Sequence, residues 1–471
     1  MLTHSAETTV TSMSQITDFH AWLESELPGL LSAHNVPAAS VGLTFAGETI
    51  THASGLLSTR TGVEADTESV FQIGSITKVW TATLIMQLVD EGMIELDAPV
   101  QRYLPGFAVS DAAASSRITV RHLLTHTGGF SGDGDVDTGR GDDAIEKLIP
   151  FLSSCRQLFA PGEMFSYNNA GYSVLGRIVE VQRGMHYNAA LQRFLSEPLG
   201  LTGVAPTAYE AILARAAVGH LQADLTIAPV PTPVWALDSS NAPAGATLAM
   251  TARDLLGFAR LHVAGGAGPD GTRVLSARSV AEMQSRQVEL PTLGFLGDAW
   301  GLGWSITDTD AGPVVGHDGG TMGQNAFLRI VPGVDFAVAL LTNGGNPIPL
   351  YQAIVVKALE DFTGLVLPAL PTPSVERPPV RAERYLGTYG SEVTDTTIRQ
   401  DSDGRLWMDR RMKGSFSDLQ TPDAIELVHL SGDSFIADEP LLGVYLVHTF
   451  VGADSRGRSR FLHTGRADAR T

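Results

Sequence analysis

Residues 71–78, Phe71-Gln72-Ile73-Gly74-Ser75-Ile76-Thr77-Lys78, lead into a stretch of helical periodicity that runs from Ser75 to Glu91 and ends near Gly92. Ser75 and Lys78 are three residues apart, so they share one face of that helix and the amine can reach the hydroxyl. Free backbone N–H groups at a helix start favour developing negative charge. The stretch predicts a nucleophilic Ser75 with Lys78 as its base; a capping serine beside an unrelated lysine is the structural alternative.

The scarcity of lysine strengthens the interpretation of Lys78. Among the 32 lysines and arginines, only Lys78, Lys147, Lys357 and Lys413 are lysines. Arginine stays protonated and cannot serve as a base, whereas a buried lysine can be neutral near pH 7. In a chain that prefers arginine so strongly, a lysine next to a candidate nucleophile indicates a task that requires an amine.

Two further motifs carry side chains suited to chemistry. Tyr167 and Asn169 lie at the start of a predicted helix over 169–181, where a phenol that shuttles a proton and an amide can enter one cleft. A buried tyrosine and a helix-capping asparagine are the structural alternative.

The glycine-rich stretch over 315–321, Val315-Gly316-His317-Asp318-Gly319-Gly320-Thr321, predicts a strand along which a substrate lies. This strand would add a backbone N–H to an oxyanion hole. An ordinary tight turn is its alternative.

Composition excludes several classes of function. The net charge of −19 repels nucleic acids and anionic membrane surfaces. Met1–Gln15 has neither a basic start nor an apolar run, and stretches such as Phe336–Leu341 are too short to span a bilayer. The single Cys155 is compatible with a reducing cytosol. The sequence lacks metal-ligand spacing and phosphate-binding glycine motifs, so we expect a soluble, cytoplasmic protein that needs no metal and no cofactor.

Periodicity divides the chain into four segments. We expect residues 1–14 to be a flexible lead and residues 15–365 to be an α+β domain. In that domain, a helix over 17–34, kinked or interrupted at Pro28-Gly29, precedes strands, and late strands precede a closing helix over 350–362. This order predicts one antiparallel sheet made from both ends, with a helical insertion. Residues 366–380 predict a stiff proline-rich linker, and residues 381–471 predict a small all-β barrel.

The three motifs, Ser-x-x-Lys, Tyr-x-Asn and His-x-Gly, resemble in order and spacing those of class C β-lactamases, DD-peptidases and their esterase relatives. The segments 97–105, 123–129, 242–245 and 251–254 are similar to that family as well, so the resemblance covers roughly residues 15–365. It implies the β-lactamase/DD-peptidase-like fold, an antiparallel sheet flanked by helices with a helical subdomain. The strands over 381–471 resemble the lipocalin-like module that follows some of these enzymes.

By position, the resemblance implies that Ser75 is the acylated nucleophile, Lys78 its base and Tyr167 the proton shuttle. It implies that Asn169, His317 and Gly319 bind substrate, and that the backbone N–H groups of Ser75 and Gly320 form the oxyanion hole.

Two histidines receive separate interpretations. His317 stands where many members have a lysine that helps to hold the carboxylate of penicillins. A histidine is only partly charged at neutral pH, so we do not expect efficient β-lactam hydrolysis. His126, at a corner before two glycines, is expected to be structural rather than catalytic.

The resemblance leaves the fate of the acyl-enzyme open, because hydrolysis and acyl transfer share their first half-reaction. An esterase or a D-amino-acid-specific peptidase would pass the acyl group to water. A penicillin-binding-protein-type thioesterase, which shares the motifs and the C-terminal module, would pass a nonribosomal peptide to an amine and cyclise it. Its peptide-like substrate would be free or bound to a carrier protein.

The thioesterase hypothesis also implies a role for the β module. In those thioesterases an arginine of this module can receive a peptide carboxylate, and Arg456, Arg458 and Arg460 are the candidates here. A catalytically silent binding protein on the same fold is the third hypothesis. The intact set of Ser75, Lys78 and Tyr167 argues against it.

Overall fold

A nine-stranded antiparallel sheet is the centre of the computed structural model, which describes residues 2–132, 136–377, 380–413, 424–441 and 443–471, without the side chains of residues 2–12. Ala38–Phe45 lies beside Phe336–Thr342, with Ala39 opposite Thr342 and Phe45 opposite Phe336. The prediction of an α+β domain whose single antiparallel sheet is made from both ends is thereby confirmed.

Hairpins connect most neighbouring strands of this sheet. Across the sheet the order is Val63–Glu64, Glu48–Ser58, Ala38–Phe45, Phe336–Thr342, Asn325–Ile330, Gly312–Gly320, Ser305–Thr309, Ala299–Trp300 and Val288–Glu289. Short strands outside it are Phe71–Gln72, Val204–Ala205, His220–Leu221, Val230–Pro231 and Ala249–Met250. The strand predicted from residue 301 begins only at Ser305, because Gly303 adopts φ +87 and turns the chain.

Helices cover both faces of the sheet, so its central strands are apolar on both sides. One face packs against the helix Leu2–Ala33 and the closing helical segment 347–363, through side chains that include Leu27 and Leu359. The other face packs against the helix Ala252–Val263. A Cβ at Gly42 would lie 2.6 Å from Leu256 Cδ1, so a glycine in the strand lets this helix approach.

The α-helices are Leu2–Ala33, Thr77–Asp90, Ala112–Ser115, Val120–Leu124, Ala144–Leu148, Asn169–Arg183, Tyr187–Leu191, Ala208–Ala211, Ala252–Val263, Ala277–Met283, Pro347–Leu350 and Lys357–Thr363. The 3₁₀ turns are Gly74–Ile76, Val100–Arg102, Ile149–Ser154, Ser239–Ala244 and Ala382–Arg384. Gln192–Ser196 and Tyr351–Val356 are π-helical.

The first helix differs from the predicted one. It runs over Leu2–Ala33 and therefore includes residues that we expected to form a flexible lead over 1–14. Pro28 lies inside it without interrupting it. Leu23, Leu27 and Leu31 are buried against the sheet, so packing of this apolar stripe offsets the lost backbone hydrogen bond at the proline. No helix of the described residues is long and apolar enough to cross a membrane.

A closed, eight-stranded antiparallel barrel follows the α+β domain, as predicted. Its strands are Gly387–Gly390, Thr394–Gln400, Leu406–Met412, Ile425–Ser431, Ser434–Ala437, Val447–Val451, Phe461–His463 and Ala467–Arg470. Each strand pairs with the next along the chain, and the last pairs with the first, which leaves no open edge. In the segment predicted to be a linker, residues 366–377 and 380 form neither helix nor strand, and Pro378 and Pro379 lie outside the described residues.

Candidate active site between the two domains

Ser75 and Lys78 lie side by side where a 3₁₀ turn, Gly74–Ile76, leads into the helix Thr77–Asp90. Lys78 Nζ lies 3.1 Å from Ser75 Oγ and donates to the carbonyl oxygen of Ala244 at 2.5 Å. The Lys78 side chain is completely buried. The amine is thereby held next to the hydroxyl and apart from bulk water.

The backbone around Ser75 is so crowded that only glycine fits at two positions. A Cβ at Gly319 would lie 3.1 Å from the amide nitrogen of Ser75. Gly74 has φ +51, and a Cβ there would lie 2.5 Å from the amide nitrogen of Gly320. The strand Gly312–Gly320 therefore lies directly against the turn that carries Ser75, and the amides of Ser75 and Gly320 are close together.

Tyr167 and Asn169 both reach the cleft beside Ser75, as the sequence predicts. Lys78 Nζ lies 4.8 Å from the centre of the Tyr167 ring. Asn168 rather than Asn169 caps the helix Asn169–Arg183, because its Oδ1 accepts the N–H of Gly171 at 2.8 Å. Asn169, in the first turn of the helix, lines the cleft.

His126 holds the Tyr167 segment, residues 165–168, from the side of the α+β domain. Its carbonyl oxygen accepts the N–H of Ser166 at 2.8 Å, and its Nδ1 accepts the N–H of Asn168 at 3.0 Å. The imidazole stacks on the Tyr167 ring with 4.3 Å between ring centres. His126 adopts a left-handed backbone, φ +56, which is uncommon outside glycine. Burial, reinforced by Lys78, lowers the pKa of His126 well below its usual range, so the ring is neutral.

The barrel holds the same segment from the opposite side, through the barrel turn, residues 463–467. His463 Nε2 donates to the carbonyl oxygen of Phe165 at 2.8 Å, and the N–H of Tyr167 donates to the carbonyl oxygen of Gly465 at 2.9 Å. The N–H of Ala467 donates to Ser166 Oγ at 3.1 Å. The backbone of Tyr167 is thus bonded directly to the second domain.

Arg466, in the barrel turn, lines the cleft, and its guanidinium carbon lies 5.2 Å from the centre of the Tyr167 ring. The candidate arginines proposed from the sequence are elsewhere. Arg458 pairs with Asp454 at 2.8 Å, Arg460 pairs with Glu163 at 2.8 Å, and Arg456 is exposed in the turn. None of the three lines the cleft. Successive hairpin turns of such a barrel lie at opposite ends, so the turn before the strand Phe461–His463 points away from the end used by Arg466.

His317 and Gly319 are close to the site but do not line the cleft. Since a carbonyl oxygen only accepts, His317 Nδ1 carries a proton and donates to the carbonyl of Asp318 at 2.6 Å. Burial, with the nearby Lys78 as second cause, lowers the pKa of His317 to about 3. His317 is therefore uncharged at neutral pH, so it supplies no cation for a substrate carboxylate.

The cleft above Ser75 has a volume of about 630 Å³ and is walled by both domains. Its barrel wall consists of residues 390–393 and 466–468, and Leu237, Asp238 and Asn241 of the α+β domain also line it. The charged side chains that line it are Arg156, Asp238, Glu392, Arg466 and Asp468. A volume of this order accommodates a ligand of several residues.

One group of possible metal ligands is formed within the described residues, and it lies outside the cleft. His20, Glu24 and His52, on the first helix and the strand Glu48–Ser58, have ligand atoms within 4.8 Å of one another. This group was not predicted from the sequence, because His52 lies 28 residues after Glu24 in the chain.

Comparison with known proteins assigns the family. The Beta-lactamase family model matches residues 21–358. Penicillin-binding protein 4 of Amycolatopsis lactamdurans is 42% identical over 375 residues, which are 79% of this chain and 98% of that protein. The chain belongs to the β-lactamase and penicillin-binding-protein superfamily, whose members are serine hydrolases.

Two further proteins resemble this chain to different extents. The crystal structure of SurE with D-Leu is 28% identical, has a TM-score of 0.77, and covers 97% of this chain and 100% of its own, so the likeness includes the barrel. Esterase EstB of Burkholderia gladioli is 34% identical over 163 residues, which are 32% of this chain and 41% of that protein.

The fold brings together most of the predicted site residues. Ser75, Lys78, Tyr167, Asn169 and the backbone of Gly320 meet at the cleft or its floor. Arg466 and the barrel turn were not predicted from the sequence. No local motif marks these residues, because their relation to Tyr167 arises only from the docking of the barrel.

Proposed function

We propose that this protein transfers the acyl group of a peptide-like thioester, ester or amide through a covalent intermediate on Ser75. The observation that carries the proposal is the completely buried Lys78 Nζ at 3.1 Å from Ser75 Oγ, at the floor of a cleft walled by two domains. A neutral amine in that position accepts the hydroxyl proton as Ser75 Oγ attacks the substrate carbonyl.

The remaining groups fit the following steps. The backbone N–H groups of Ser75 and Gly320 stabilise the negative charge on the tetrahedral oxygen. Tyr167, next to Lys78, passes the proton to the leaving sulfur, oxygen or nitrogen as the bond to it breaks, which leaves an ester on Ser75. An amine or water then attacks this ester, its proton returns along the same path, and the serine is released.

We infer that the acceptor of the acyl group is the peptide's own amine, so that the product is a cyclic peptide, and that the residues at the reacting end have the D configuration. The supporting observation is the likeness of the whole chain, barrel included, to SurE, which was crystallised with D-Leu. Arg466 replaces the arginines first considered as the residue that receives a carboxylate, because it lines the cleft beside Tyr167. The peptide arrives free or on a carrier protein.

Hydrolysis is the second candidate function. The observation that favours it is the identity with Esterase EstB over about a third of the chain. In that case water attacks the acyl-enzyme, and the products are a linear acid and an alcohol, thiol or amine.

The test uses a peptidyl thioester with D residues at its C-terminal end and a free N-terminal amine. Intact-mass spectrometry of wild type and Ser75→Ala detects the acyl adduct, and product analysis follows the peptide. We expect an adduct on the wild type only, together with cyclic product.

The other outcomes are equally informative. An adduct with only linear acid would assign hydrolysis instead of transfer. The absence of an adduct with this thioester and with simple activated esters would favour a catalytically silent binding protein.

A further inference from the structure

A second cavity of about 470 Å³ lies next to the active-site cleft in the α+β domain. Its apolar lining includes Tyr209, Ile212, Val234, Trp235 and Leu237. None of the residues proposed above for the chemistry lines this cavity, so the proposed mechanism leaves it unexplained.

The mouth of this cavity exposes large apolar side chains. Tyr209 and Ile212 are 72% and 77% exposed, and Val234 and Leu237 are 45% and 41% exposed. A single exposed apolar side chain is ordinary on a protein surface, whereas four around one cavity mark a binding surface. The cavity wall also carries the charged or titratable side chains Arg140, Asp142, Glu180 and His186. Glu180 pairs with Arg177 at 2.9 Å and accepts the N–H of Tyr187 at 3.1 Å. Glu180 is thus occupied within the protein.

The second cavity is adjacent to the cleft, because Leu237 lines both. The chain on either side of Leu237 is tied to the framework of the active site. Gln72 Nε2, three residues before Ser75, donates to the carbonyl oxygen of Trp235 at 2.7 Å. The N–H of Leu237 donates to the carbonyl oxygen of Ala246 at 3.3 Å. A ligand attached to Ser75 that extends past Leu237 reaches the second cavity.

We infer that this second cavity binds apolar residues of the acyl donor that lie several bonds away from the reacting carbonyl. This inference rests on the proposed function and adds a substrate class to it, namely peptides with apolar side chains at that distance. The barrel wall of the cleft carries the charged side chains Glu392, Arg466 and Asp468. Leu237, by contrast, leads to a cavity with exposed apolar side chains. The acyl chain therefore extends toward Leu237.

The experiment compares thioesters that share one small thiol leaving group and differ only in the acyl part. The acyl parts are an acetyl-capped single D residue and two capped tetrapeptides, whose distal residues are leucine in one and serine in the other. The test variant is the double substitution Tyr209→Ser and Ile212→Ser. Leu213→Ser is the matched control, because Leu213 is 87% exposed next to Ile212 but does not line the cavity.

In wild type and in Leu213→Ser, we expect kcat/KM for the leucine peptide to exceed that for the serine peptide by roughly tenfold or more, the range for an apolar contact in a pocket. In the double variant this preference should shrink to about twofold, while the short thioester reacts equally with all three proteins. All substituted side chains are largely exposed, so folding should be preserved.

Two results would overturn the inference and are distinguishable from failure of the proposed function. If the short thioester acylates Ser75 but the leucine preference is absent from wild type or persists in the double variant, the subsite is excluded and the proposed function stands. If no thioester acylates wild type, the proposed function fails and the subsite with it.

Discussion

Two parts of the molecule position the Tyr167 segment, and they do so with different contacts. On the side of the α+β domain, His126 stacks its ring on Tyr167 and accepts two backbone N–H groups of the segment. On the other side, the barrel turn accepts the N–H of Tyr167 at the carbonyl of Gly465 and donates the N–H of Ala467 to the Ser166 hydroxyl. His463 Nε2 donates to the carbonyl oxygen of Phe165. The barrel therefore fixes the backbone of Tyr167 directly and forms part of the candidate active site.

Distortion of the barrel turn should have the largest effect on the position of Tyr167. Gly465 has φ +102, and a Cβ there would lie 3.1 Å from Leu296 Cδ1. Gly465→Ala should therefore shift the turn and lower kcat for acylation by roughly ten- to a hundredfold, because small misplacements of a proton-transfer group are costly. The measurement is the rate of acylation by an activated ester.

The matched control for this variant is Gly457→Ala. Gly457 has φ +76 in another barrel turn, and a Cβ there would meet nothing within 4 Å. The control introduces the same kind of backbone strain far from the cleft, so it should leave kcat unchanged. Equal rates for the two variants would show that the barrel turn does not position Tyr167.

A fall in pH should weaken the contact that His463 of the barrel makes with Phe165, with a smaller effect than distortion of the turn. Burial lowers the pKa of His463 to about 4, below its usual 6.5. As the pH falls, the imidazole of His463 is therefore protonated in the unfolded chain before it is protonated in the folded protein. The stability from neutral His463 is complete above pH 6.5 and is lost between pH 6.5 and about 4. At pH 5 the free energy of unfolding should be about 2 kcal/mol lower than at pH 7.5 on account of this group.

Chemical denaturation of wild type and His463→Gln at the two pH values measures this loss. The variant has no group that titrates at position 463, so its stability should fall by about 2 kcal/mol less than that of wild type over the same interval. Identical pH dependence of the two proteins would contradict the assignment of a buried, neutral His463.

The smallest expected effect comes from the α+β side. His126→Asn keeps a residue that tolerates a left-handed backbone but removes the ring stacked on Tyr167, so kcat should fall roughly two- to tenfold. His262→Asn is the control, because His262 is also buried and neutral but contacts Thr83, away from the cleft.

Combining His126→Asn with Gly465→Ala tests whether both sides act on the same tyrosine. In that case the double variant should lose less activity than the product of the two single losses. Once Tyr167 is displaced by one substitution, loss of the contacts on the other side lowers kcat only a little further. If the loss of kcat in the double variant equals the product of the two single losses, the two sides act on different steps.

The sequence predicted the parts of the site whose relation is local. Ser75 and Lys78 lie within one helical turn, and Tyr167 and Asn169 lie at one helix start, so spacing alone places each pair. The sheet was predictable because alternation and turn residues recur in both halves of the domain. The residues that hold Tyr167 were not predictable in this way, because His126 and His463 are 41 and 296 positions away in the chain.

The arginines of the barrel show why the contacts between the barrel and the cleft could not be predicted from the sequence. The turn near Gly457 and the turn at Gly465 have similar composition, each with glycine next to arginine. Which of them faces the cleft depends on how the barrel docks, and docking is decided by surfaces such as the cluster of Phe159, Phe461 and Ala467 from both domains. No local pattern carries that information.

The bond from His463 to Phe165 spans 298 positions of the chain, and this separation has a consequence for synthesis. At typical elongation speeds the ribosome adds the barrel turn roughly 15 to 60 s after the Tyr167 segment. During that interval the nascent α+β domain contains Ser75 and Lys78 but lacks the contacts of the barrel with Tyr167, the proposed proton shuttle. We expect the growing chain to remain unreactive toward thioesters in the cell until the barrel has closed.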